Sequence, residues 1–561
     1  MHDILIRQAQ VFDGSGGPPS IADVAIAGGR IAAVGRITEP AVRSIDAQGL
    51  ALMPGIIDNH THYDAQVTWD PWCTPSPALG VTTAVIGNCG FTIAPCRPQD
   101  RDRVMRNLTQ VEGMSLDVLR AGVRWEFESI AEYFDFLERR GSAINLAGFV
   151  GHSSVRTFVM GEDASRRAAT AAEIEDMRRI VLEGMDAGAI GFATSTSPAH
   201  NGEGGLPMPS RLAADDELRI LVESLREAGR GVFMLTKGGH TRIAFLEELA
   251  AASGRPVVVA ALLHNSTNPR AVFEDLDGIE AARQRGRRIA GAVSPCPLTN
   301  DFTMHSPYPV EGLTSWRPAL GLAGAAYRAK LGDVAFRDAV RAELASPAVF
   351  RIFNAEWHKV QIIECANPAN ASMEQRSIAD LAEQAGRDPL DFMLDLALSE
   401  NLDTVFSAVL LNSDERAVGE MLRHPASLVS LSDAGAHLTF FNDAGFGLHL
   451  LGHWVRRLGV MSLSEAVRKL TSEPAELFGI QNRGRIRPGY YADLMLFDPA
   501  RVDRGPKQRI HDLPGNGARL TTGALGVKAV WVNGVQVADA DGVCSGHQGA
   551  LPGRLLREFA A

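Results

Sequence analysis

The feature that most constrains this chain is a long series of short apolar segments that alternate with helix-like segments. The apolar segments are VTTAVIG, INLAGFVG, AIGFATS, GVFMLT, PVVVAALLH, RIAGAVS and LVSLSD. Between them lie stretches such as AAEIEDMRRIVLEGMDAG, in which apolar residues recur at helical spacing. Continuous apolar strands that alternate with amphipathic helices predict an α/β fold with a parallel sheet covered on both faces. Seven or eight such units fit a (β/α)8 barrel.

Both ends of the chain have a different pattern, in which short β segments are separated by glycine-containing turns. ILIRQAQVFDG and DVAIAGGRIAAVG lie near the start, and RIRPGYYADLMLFDP and VKAVWVNGVQVAD lie near the end. We therefore predict one small β-sandwich built from residues 1–54 and 483–550, with the barrel at residues 55–482. Residues 302–400 fit the barrel pattern least, and we predict that they form a partly helical insertion.

Composition excludes several classes of protein. With 45% hydrophobic and 22% charged residues in 561, the chain has the composition of a folded protein. The net charge of -11 gives no basic stripe for nucleic acid, and no apolar run is long enough to predict a membrane span. Six cysteines make no disulfide framework, and the N-terminus shows no secretory pattern. We expect a cytoplasmic protein with a small-molecule substrate, and the sequence does not indicate its oligomeric state.

Two histidines mark the most informative segment, GIIDNHTHYDA. His60 and His62 follow an apolar strand and a Pro-Gly turn. Residues two apart on a strand point to the same side, so both imidazoles are predicted to face one point at the carboxyl end of the first barrel strand. Barrel enzymes place their sites at that end, and imidazole is a common ligand of zinc and other first-row metals.

Three further residues that bind metals or protons end later strands. Cys89 lies in the tight loop of VIGNCGFTIAP, His264 ends PVVVAALLH, and Asp433 follows LVSLS. A thiolate is a strong zinc ligand, and an aspartate at this place can bind a metal or accept a proton from water. Each signal has a simpler explanation, such as a buried thiol or a helix cap. Their succession at strand ends predicts a metal site.

These segments together resemble the amidohydrolase superfamily, and within it the N-acyl-D-amino-acid deacylases, or D-aminoacylases. The resemblance covers nearly the whole chain and rests on HTH after PGIID, GNCGF, GHSSVR, GAIGFATS, the LLH strand, SDAGAH and RGRIRPGYYADLMLFDP. GNCGF is the most specific of these, because most of the superfamily has no cysteine there. The resemblance implies a metal-dependent hydrolase barrel that carries zinc.

The resemblance also implies roles for individual residues. His60 and His62 would hold the first metal position, while Cys89 and His264 would belong to a tightly bound zinc ion, and a second, weaker metal is left open. Asp433 would be the general base and would contact the metal. The GHSSVR segment contains His152, for which a structural hydrogen bond and a substrate contact are equal alternatives.

One departure from the family pattern concerns the fifth strand. The family has a histidine there, in a segment that reads roughly T-H-x-R, whereas this chain reads GVFMLTKGGHTR. Lys237 stands at the aligned place, and His240 follows three residues later. We predict that Lys237 is a metal ligand, carboxylated to a carbamate. The alternatives are that His240 is the ligand, or that Lys237 stays cationic and binds the substrate carboxylate. If Lys237 is the ligand, His240 is a candidate for substrate binding.

The leading functional hypothesis is metal-dependent hydrolysis of the amide bond of N-acyl amino acids, with the D configuration favoured. Lys359, in NAEWHKV, is a weak candidate for binding the substrate carboxylate. One alternative is a cyclic-amide hydrolase of the hydantoinase or dihydroorotase kind, against which Cys89 argues. The other alternative is a catalytically silent binding protein on the same scaffold. Neither the acyl chain, the side chain nor the stereochemistry of the substrate can be read from the sequence.

Overall fold

The computed structural model describes residues 1–111, 113–202, 205–347, 351–544 and 549–561. Its strands, in chain order, are β1 His2–Val11, β2 Ser20–Ala27, β3 Arg30–Gly35, β4 Ala41–Asp46, β5 Ala51–Pro54, β6 Ile56–Asp58, β7 Val81–Ile86, β8 Asn145–Gly151, β9 Gly191–Ser195, β10 Val232–Thr236, β11 Val257–Leu262, β12 Ile289–Val293, β13 Leu298–Phe302, β14 Val360–Glu364, β15 Val405–Leu411, β16 Ser427–Val429, β17 Leu494–Phe497, β18 Asp503–Leu513, β19 Gly517–Leu525, β20 Val527–Val532, β21 Val535–Asp539 and β22 Gly542–Val543.

The α-helices are α1 Arg101–Val111, α2 Leu116–Gly122, α3 Ile130–Arg140, α4 His152–Met160, α5 Ala171–Asp186, α6 Asp215–Glu227, α7 Ile243–Ser253, α8 Ala271–Gln284, α9 Tyr308–Glu311, α10 Gly324–Gly332, α11 Val334–Ala345, α12 Ile378–Gln384, α13 Pro389–Ser399, α14 Glu415–Arg423, α15 Phe446–His449, α16 Leu463–Leu470 and α17 Ser472–Phe478. A π-helical segment, Leu450–Arg457, follows α15. None of the described helices is long and apolar enough to cross a membrane.

Eight parallel strands form the barrel sheet, in the order β16-β12-β11-β10-β9-β8-β7-β6. The two end strands meet, because Asn59 Nδ2 donates to Val429 O at 3.0 Å and Thr61 forms a parallel bridge with Ala434. Every residue of β7, β8, β9, β10 and β12 is buried. Strands covered on both faces need continuous apolar sequence, which is the pattern that predicts the barrel. The predicted (β/α)8 fold is confirmed.

Two helices of the first unit, α3 and α5, begin at capping boxes. At the start of α5, Thr170 Oγ1 accepts the backbone N–H of Glu173, and Glu173 Oε2 accepts the backbone N–H of Thr170. Ser129 and Glu132 form the same reciprocal pair at the start of α3. Such capping boxes satisfy backbone N–H groups that have no partner inside the helix. They therefore fix where α3 and α5 begin.

A nine-stranded sheet joins the two ends of the chain. Its order is β22-β21-β20-β17-β5-β1-β2-β3, and β4 also pairs with β1. The junction is the antiparallel pair β5–β17, in which Pro54 lies opposite Leu494. Ile6, Leu52 and Trp531 are fully buried in its core. This sheet is built from both ends of the chain, and the assignment of residues 1–54 and 483–550 to a separate β-sandwich domain stays a prediction.

Residues 263–274 and 296–418 form a second compact unit. It contains the antiparallel sheet β13-β15-β14 and helices α9 to α13. Its core includes Trp316, Phe336 and Phe406. The predicted insertion, residues 302–400, lies within this unit, and its segments AFRDAVRAELA and DPLDFMLDLALSE form most of α11 and α13.

The C-terminal tail is held against the rest of the first unit. Isolated β-bridges link Gly553 to Ser142 and Phe559 to Ile480. Arg557 donates to Asp135 at 2.6 Å, and the Phe559 ring is 7% exposed. These contacts make the tail an integral part of the first unit.

Candidate active site

The His60–His62 pair lies just beyond strand β6. Their side chains are only 3% and 5% exposed, and the ring centroids are 5.3 Å apart. The backbone is fixed by the segment after β16, because His62 N donates to Ala434 O at 2.8 Å and Asp433 N donates to His60 O at 3.2 Å. Closure of the barrel therefore brings the first and last strand ends together at this pair.

Cys89 lies in a tight turn after strand β7. Gly87 and Gly90 have φ of 83° and 76°, and Cys89 itself has φ of 58°. A Cβ on Gly90 would lie 2.6 Å from Ala193 O, so this turn needs glycine to approach the neighbouring strand. Cys89 Sγ lies 3.5 Å from His60 Nε2 and 3.1 Å from Thr236 Oγ1. Burial raises the pKa of the thiol, which favours its neutral form until a cation binds.

The donor atoms of His60, His62 and Cys89 form one cluster. One ligand atom from each residue lies within 4.8 Å of the other two. Two imidazole nitrogens and a sulfur are a set that zinc accepts, with bonds of about 2.0–2.3 Å. The residues present therefore fit a metal of this class.

Asp433 completes the cluster. Its Oδ1 lies 3.3 Å from His60 Nε2 and 3.6 Å from His62 Nε2. Burial acts to raise the pKa of this carboxyl, but the hydrogen bond with His62 and the nearby His60 and His437 outweigh it and lower the pKa below its ordinary value. Asp433 is therefore an ionised carboxylate, which can accept a proton or bind a cation.

Two buried groups of the site, His60 and Asp58, have pKa values that are shifted in opposite directions. Burial lowers the pKa of His60 to about 3, so its ring is neutral and can act as a ligand. Burial raises the pKa of Asp58 to about 7. Asp58 Oδ1 accepts the backbone N–H of His60 at 3.4 Å, which ties it to the same strand end.

His264 belongs to the second unit, and its ring is 3% exposed. Its backbone N–H donates to Asn412 Oδ1 at 2.7 Å, and Asn412 N donates back to His264 O at 2.8 Å. Its Nδ1 is buried and has no hydrogen-bond partner among the described residues. Burial lowers the pKa of His264. A neutral ring with such a nitrogen suits a ligand, and its assignment to the zinc stays a prediction.

Lys237 ends strand β10 and forms an ion pair. Its Nζ lies 3.0 Å from Asp275 Oδ2. His240 lies in the loop after Lys237 and is exposed. The ligand roles of both residues stay predictions.

The predicted substrate contacts of His152 and Lys359 lie in two different environments. His152 is fully buried, and its ring nitrogens lie 2.7 Å from Thr194 Oγ1 and 2.8 Å from Glu217 Oε1. Both nitrogens are engaged, so this geometry favours the structural alternative for His152. In the second unit, Lys359 Nζ donates to Glu356 Oε1 at 2.9 Å.

Two histidines that the sequence analysis did not single out also line the site. A cavity of about 60 Å³ is lined by His60, His62, Cys89, Asp433, His200 and His437, among others. Burial, with the nearby His437 and His62, lowers the pKa of His200 to about 3. His200 comes five residues after β9 and His437 four residues after Asp433, where no strand or helix spacing points to them.

Comparison with known proteins gives the family. The sequence profile described as "Amidohydrolase family" matches residues 43–538. The chain belongs to the amidohydrolase family. This amidohydrolase is 29% identical to an N-acyl-D-aspartate deacylase of Alcaligenes xylosoxydans xylosoxydans, over 96% of this chain and 92% of the relative. It is also 29% identical to a D-aminoacylase of the same organism, over 100% of this chain and 98% of the relative.

A solved D-aminoacylase structure aligns with the whole of this amidohydrolase. The identity is 26%, the TM-score is 0.66 and the alignment covers 100% of both chains. That protein is described by its binuclear metal centre, with one-metal activation and second-metal attenuation. The amidohydrolase assignment made from the motifs is confirmed, and the chain is a metal-dependent hydrolase of carbon–nitrogen bonds other than peptide bonds.

Proposed function

We propose that this amidohydrolase hydrolyses the amide bond of N-acyl-D-amino acids to a carboxylate and a free D-amino acid. The observation that carries the proposal is the convergence of His60, His62, Cys89 and Asp433 on one cavity. The names of the relatives support the substrate class and its configuration. The chain is equally similar to a deacylase named for aspartate and to one named without a side chain, so the similarity selects no side chain.

We propose zinc as the metal, held by His60, His62 and Cys89. The support is chemical, because a thiolate and two imidazoles form a soft, nitrogen-rich donor set. We propose one tightly bound zinc ion and a second, weaker metal position, since a similar D-aminoacylase is described by one-metal activation and second-metal attenuation. Zinc, when bound, polarises a carbonyl oxygen and makes a nearby water more acidic.

The proton steps belong to Asp433 in this proposal. Its carboxylate is held ionised beside His60 and His62, so Oδ1 is ready to accept a proton from the attacking water. The same oxygen then carries that proton to the leaving nitrogen as the carbon–nitrogen bond breaks. The products are the free amine and the acyl carboxylic acid, which releases its remaining proton to solvent at neutral pH and becomes a carboxylate, and Asp433 ends ionised as it began.

The size of the cavity limits what part of the substrate it holds. Its volume is about 60 Å³, whereas pockets that enclose a drug-sized ligand are about 300–1,000 Å³. The cavity therefore holds the scissile group, and the acyl chain and the amino-acid side chain extend beyond it. Selectivity for those parts must then arise from residues outside the metal cluster.

The test is a substrate panel assayed on protein of known metal content. N-acyl-D-amino acids, their L enantiomers and cyclic amides are compared before chelation, after chelation and after zinc is restored. We expect turnover of the D compounds that is lost on chelation and recovered with zinc. Turnover of cyclic amides alone would support the hydantoinase-like alternative. A metal-free protein that binds but does not hydrolyse any of the compounds would support the binding-protein alternative.

We also propose a cytoplasmic location for this enzyme, with a small molecule as its partner. None of the six cysteines, all of which lie in the described ranges, forms a disulfide, which fits a reducing compartment. Fractionation of the native host would test this, and recovery of the enzyme outside the cytoplasm would contradict it.

A further inference from the structure

His200 lies in the site but has no part in the mechanism described so far. It lines the same cavity as His60, His62 and Cys89. The loop after strand β9 carries it there, five residues beyond Ser195. A histidine that faces a reaction cavity can bind a metal, carry a proton or donate a hydrogen bond, and these roles differ in which nitrogen holds the proton.

Contacts on several sides hold the His200 ring and its backbone in place. The ring packs edge-on against Phe91, with centroids 4.9 Å apart and planes at 69°. The carbonyl of His200 accepts a hydrogen bond from Arg211 Nη1 at 3.1 Å. Its Nδ1 lies 2.7 Å from Ser195 Oγ. Because Nδ1 is engaged there, Nε2 is the polar atom that His200 offers to the cavity.

The surroundings of Ser195 determine the tautomer of His200. Ser195 is fully buried, and its Oγ already accepts the backbone N–H of Ser197 at 3.1 Å. Among the described residues, the acceptor within reach of its hydroxyl proton is His200 Nδ1. A buried hydroxyl whose proton has no acceptor is unfavourable, so Ser195 donates and Nδ1 accepts. The proton of the neutral ring is then on Nε2.

We propose that His200 donates its Nε2–H to the acyl oxygen of the substrate and stabilises the negative charge that develops there. A protonated Nε2 has no lone pair left for a metal, so this role excludes His200 as a ligand. A neutral donor suits an oxygen that gains charge only during the reaction, whereas a permanent carboxylate would favour a cation. Ser195 acts through His200 and is a positioning residue. The role rests on the proposed deacylase function.

The first experiment replaces the ring in two ways. His200→Leu removes the donor, and His200→Gln keeps an amide N–H near the position of Nε2. Removing one such donor costs about 10²–10³ in kcat. We expect a loss of this size in His200→Leu with little change in KM, a smaller loss in His200→Gln, and wild-type metal content in both by elemental analysis. His511→Leu, at an exposed histidine of strand β18, is the control and keeps wild-type kcat.

The second experiment reads the tautomer in metal-free protein. Nitrogen NMR of protein labelled with ¹⁵N-histidine, with the His200 signals assigned by their absence in His200→Gln, should show Nε2 protonated and Nδ1 bare. Ser195→Ala should give a mixture of His200 tautomers and a lower kcat. Ser195→Thr, which keeps a hydroxyl, should restore the single tautomer and the wild-type kcat. If His200→Leu does not fold, the position of the ring proton in the wild-type protein tests the proposal instead.

The outcomes separate this proposal from the proposed function. A wild-type enzyme that is inactive on all N-acyl amino acids overturns the function and the role together. An active wild-type enzyme with an unchanged His200→Leu overturns the role of His200 alone. Loss of metal in both His200 variants, or a proton on Nδ1, would instead make His200 a ligand and would also overturn it.

Discussion

Asp433 is a carboxylate beside His60 and His62, so we expect the loss of its charge to affect mainly the proton-transfer steps. Asp433→Asn keeps the shape but accepts no proton at neutral pH. We expect kcat to fall by about 10²–10⁴ while the bound metal stays. Steady-state kinetics and elemental analysis of the same preparation check this. Asp216→Asn, at a side chain 85% exposed on α6, is the control, and loss of metal in Asp433→Asn would mark it as chiefly a ligand.

Cys89 supplies the one sulfur of the cluster, so its replacement should affect the metal before anything else. Cys89→Ser exchanges a thiolate for a hydroxyl, which is a far weaker zinc ligand at neutral pH. After dialysis we expect the variant to retain little metal and to lose its activity in proportion. Cys96→Ser, at a buried thiol that donates to the Arg97 carbonyl, is the matched control. Equal metal content in both variants would remove Cys89 from the ligand set.

The shifted pKa of His60 predicts how the metal-free protein responds to acid. The pKa is about 3 in the fold and about 6.5 in an unfolded chain, so between these values the unfolded chain binds more protons. The contribution of His60 to the free energy of unfolding therefore falls as pH falls, by up to about 1.4 kcal/mol per pH unit. Asp58, with its pKa raised to about 7, acts in the opposite direction and masks part of this fall.

His60→Gln isolates that contribution, because it removes the titrating ring and leaves Asp58. Relative to wild type, the variant should gain stability steadily as pH is lowered from 6.5 toward 4.5, as measured by urea unfolding of metal-free protein. For His511→Gln, at an exposed position, the free energy of unfolding should vary with pH as it does in the wild type. Parallel profiles for His60→Gln would show that this ring is not held neutral in the fold.

The site residues that could be found from the sequence share one property. His60, Cys89 and Asp433 each follow closely on a barrel strand, so the alternating strand pattern alone predicts that they lie at one end of the barrel. His200 and His437 lie in loops that turn back into the cavity. Their position depends on tertiary contacts, such as the Phe91 ring against His200, which no local spacing encodes.

Among the elements, the turn that carries Cys89 should be sensitive to a single added methyl group. In Gly90→Ala the new Cβ would lie 2.6 Å from Ala193 O at a backbone φ of 76°. We expect a loss of about 1–3 kcal/mol in stability and weaker metal binding, because the turn must move and Cys89 moves with it. Thermal unfolding and competition with a chelator measure the two effects.

Gly239→Ala is the matched control for this turn, since a Cβ there meets nothing within 4 Å. If both glycine variants bind metal as wild type does, the turn is not what positions Cys89.

At the level of elements, the sequence was most informative where both faces of a strand are buried. Six of the seven apolar segments contain one of the strands β7 to β12, and LVSLSD covers the last two residues of β16, because a strand between two layers favours apolar residues. Strand β6 is three residues long, and it was recognised through the motif that follows it. The second unit was harder to predict, since its short helices and half-exposed strands β13 and β14 leave no such continuous pattern.

On the scale of the whole molecule, the C-terminal tail should contribute measurably to stability. Phe559→Ala removes a ring that is 7% exposed and bridged through its backbone to Ile480. We expect the free energy of unfolding to fall by about 3 kcal/mol, since replacing a buried phenylalanine by alanine usually costs this much or more. The shift in thermal midpoint measures it. Glu558→Ala, at the exposed neighbour, should stay within about 0.5 kcal/mol of wild type.

The pairing of β5 with β17 sets a waiting time during protein synthesis. Roughly 440 residues separate the two strands, and at about 5–20 residues per second a ribosome needs roughly 20–90 s to make them. Until then β5 has an open edge, which is a template for pairing with another nascent chain. Chains released before β17 should therefore aggregate. A circular permutant whose synthesis begins with β17 would not have to wait, and more of its chains should reach the native state.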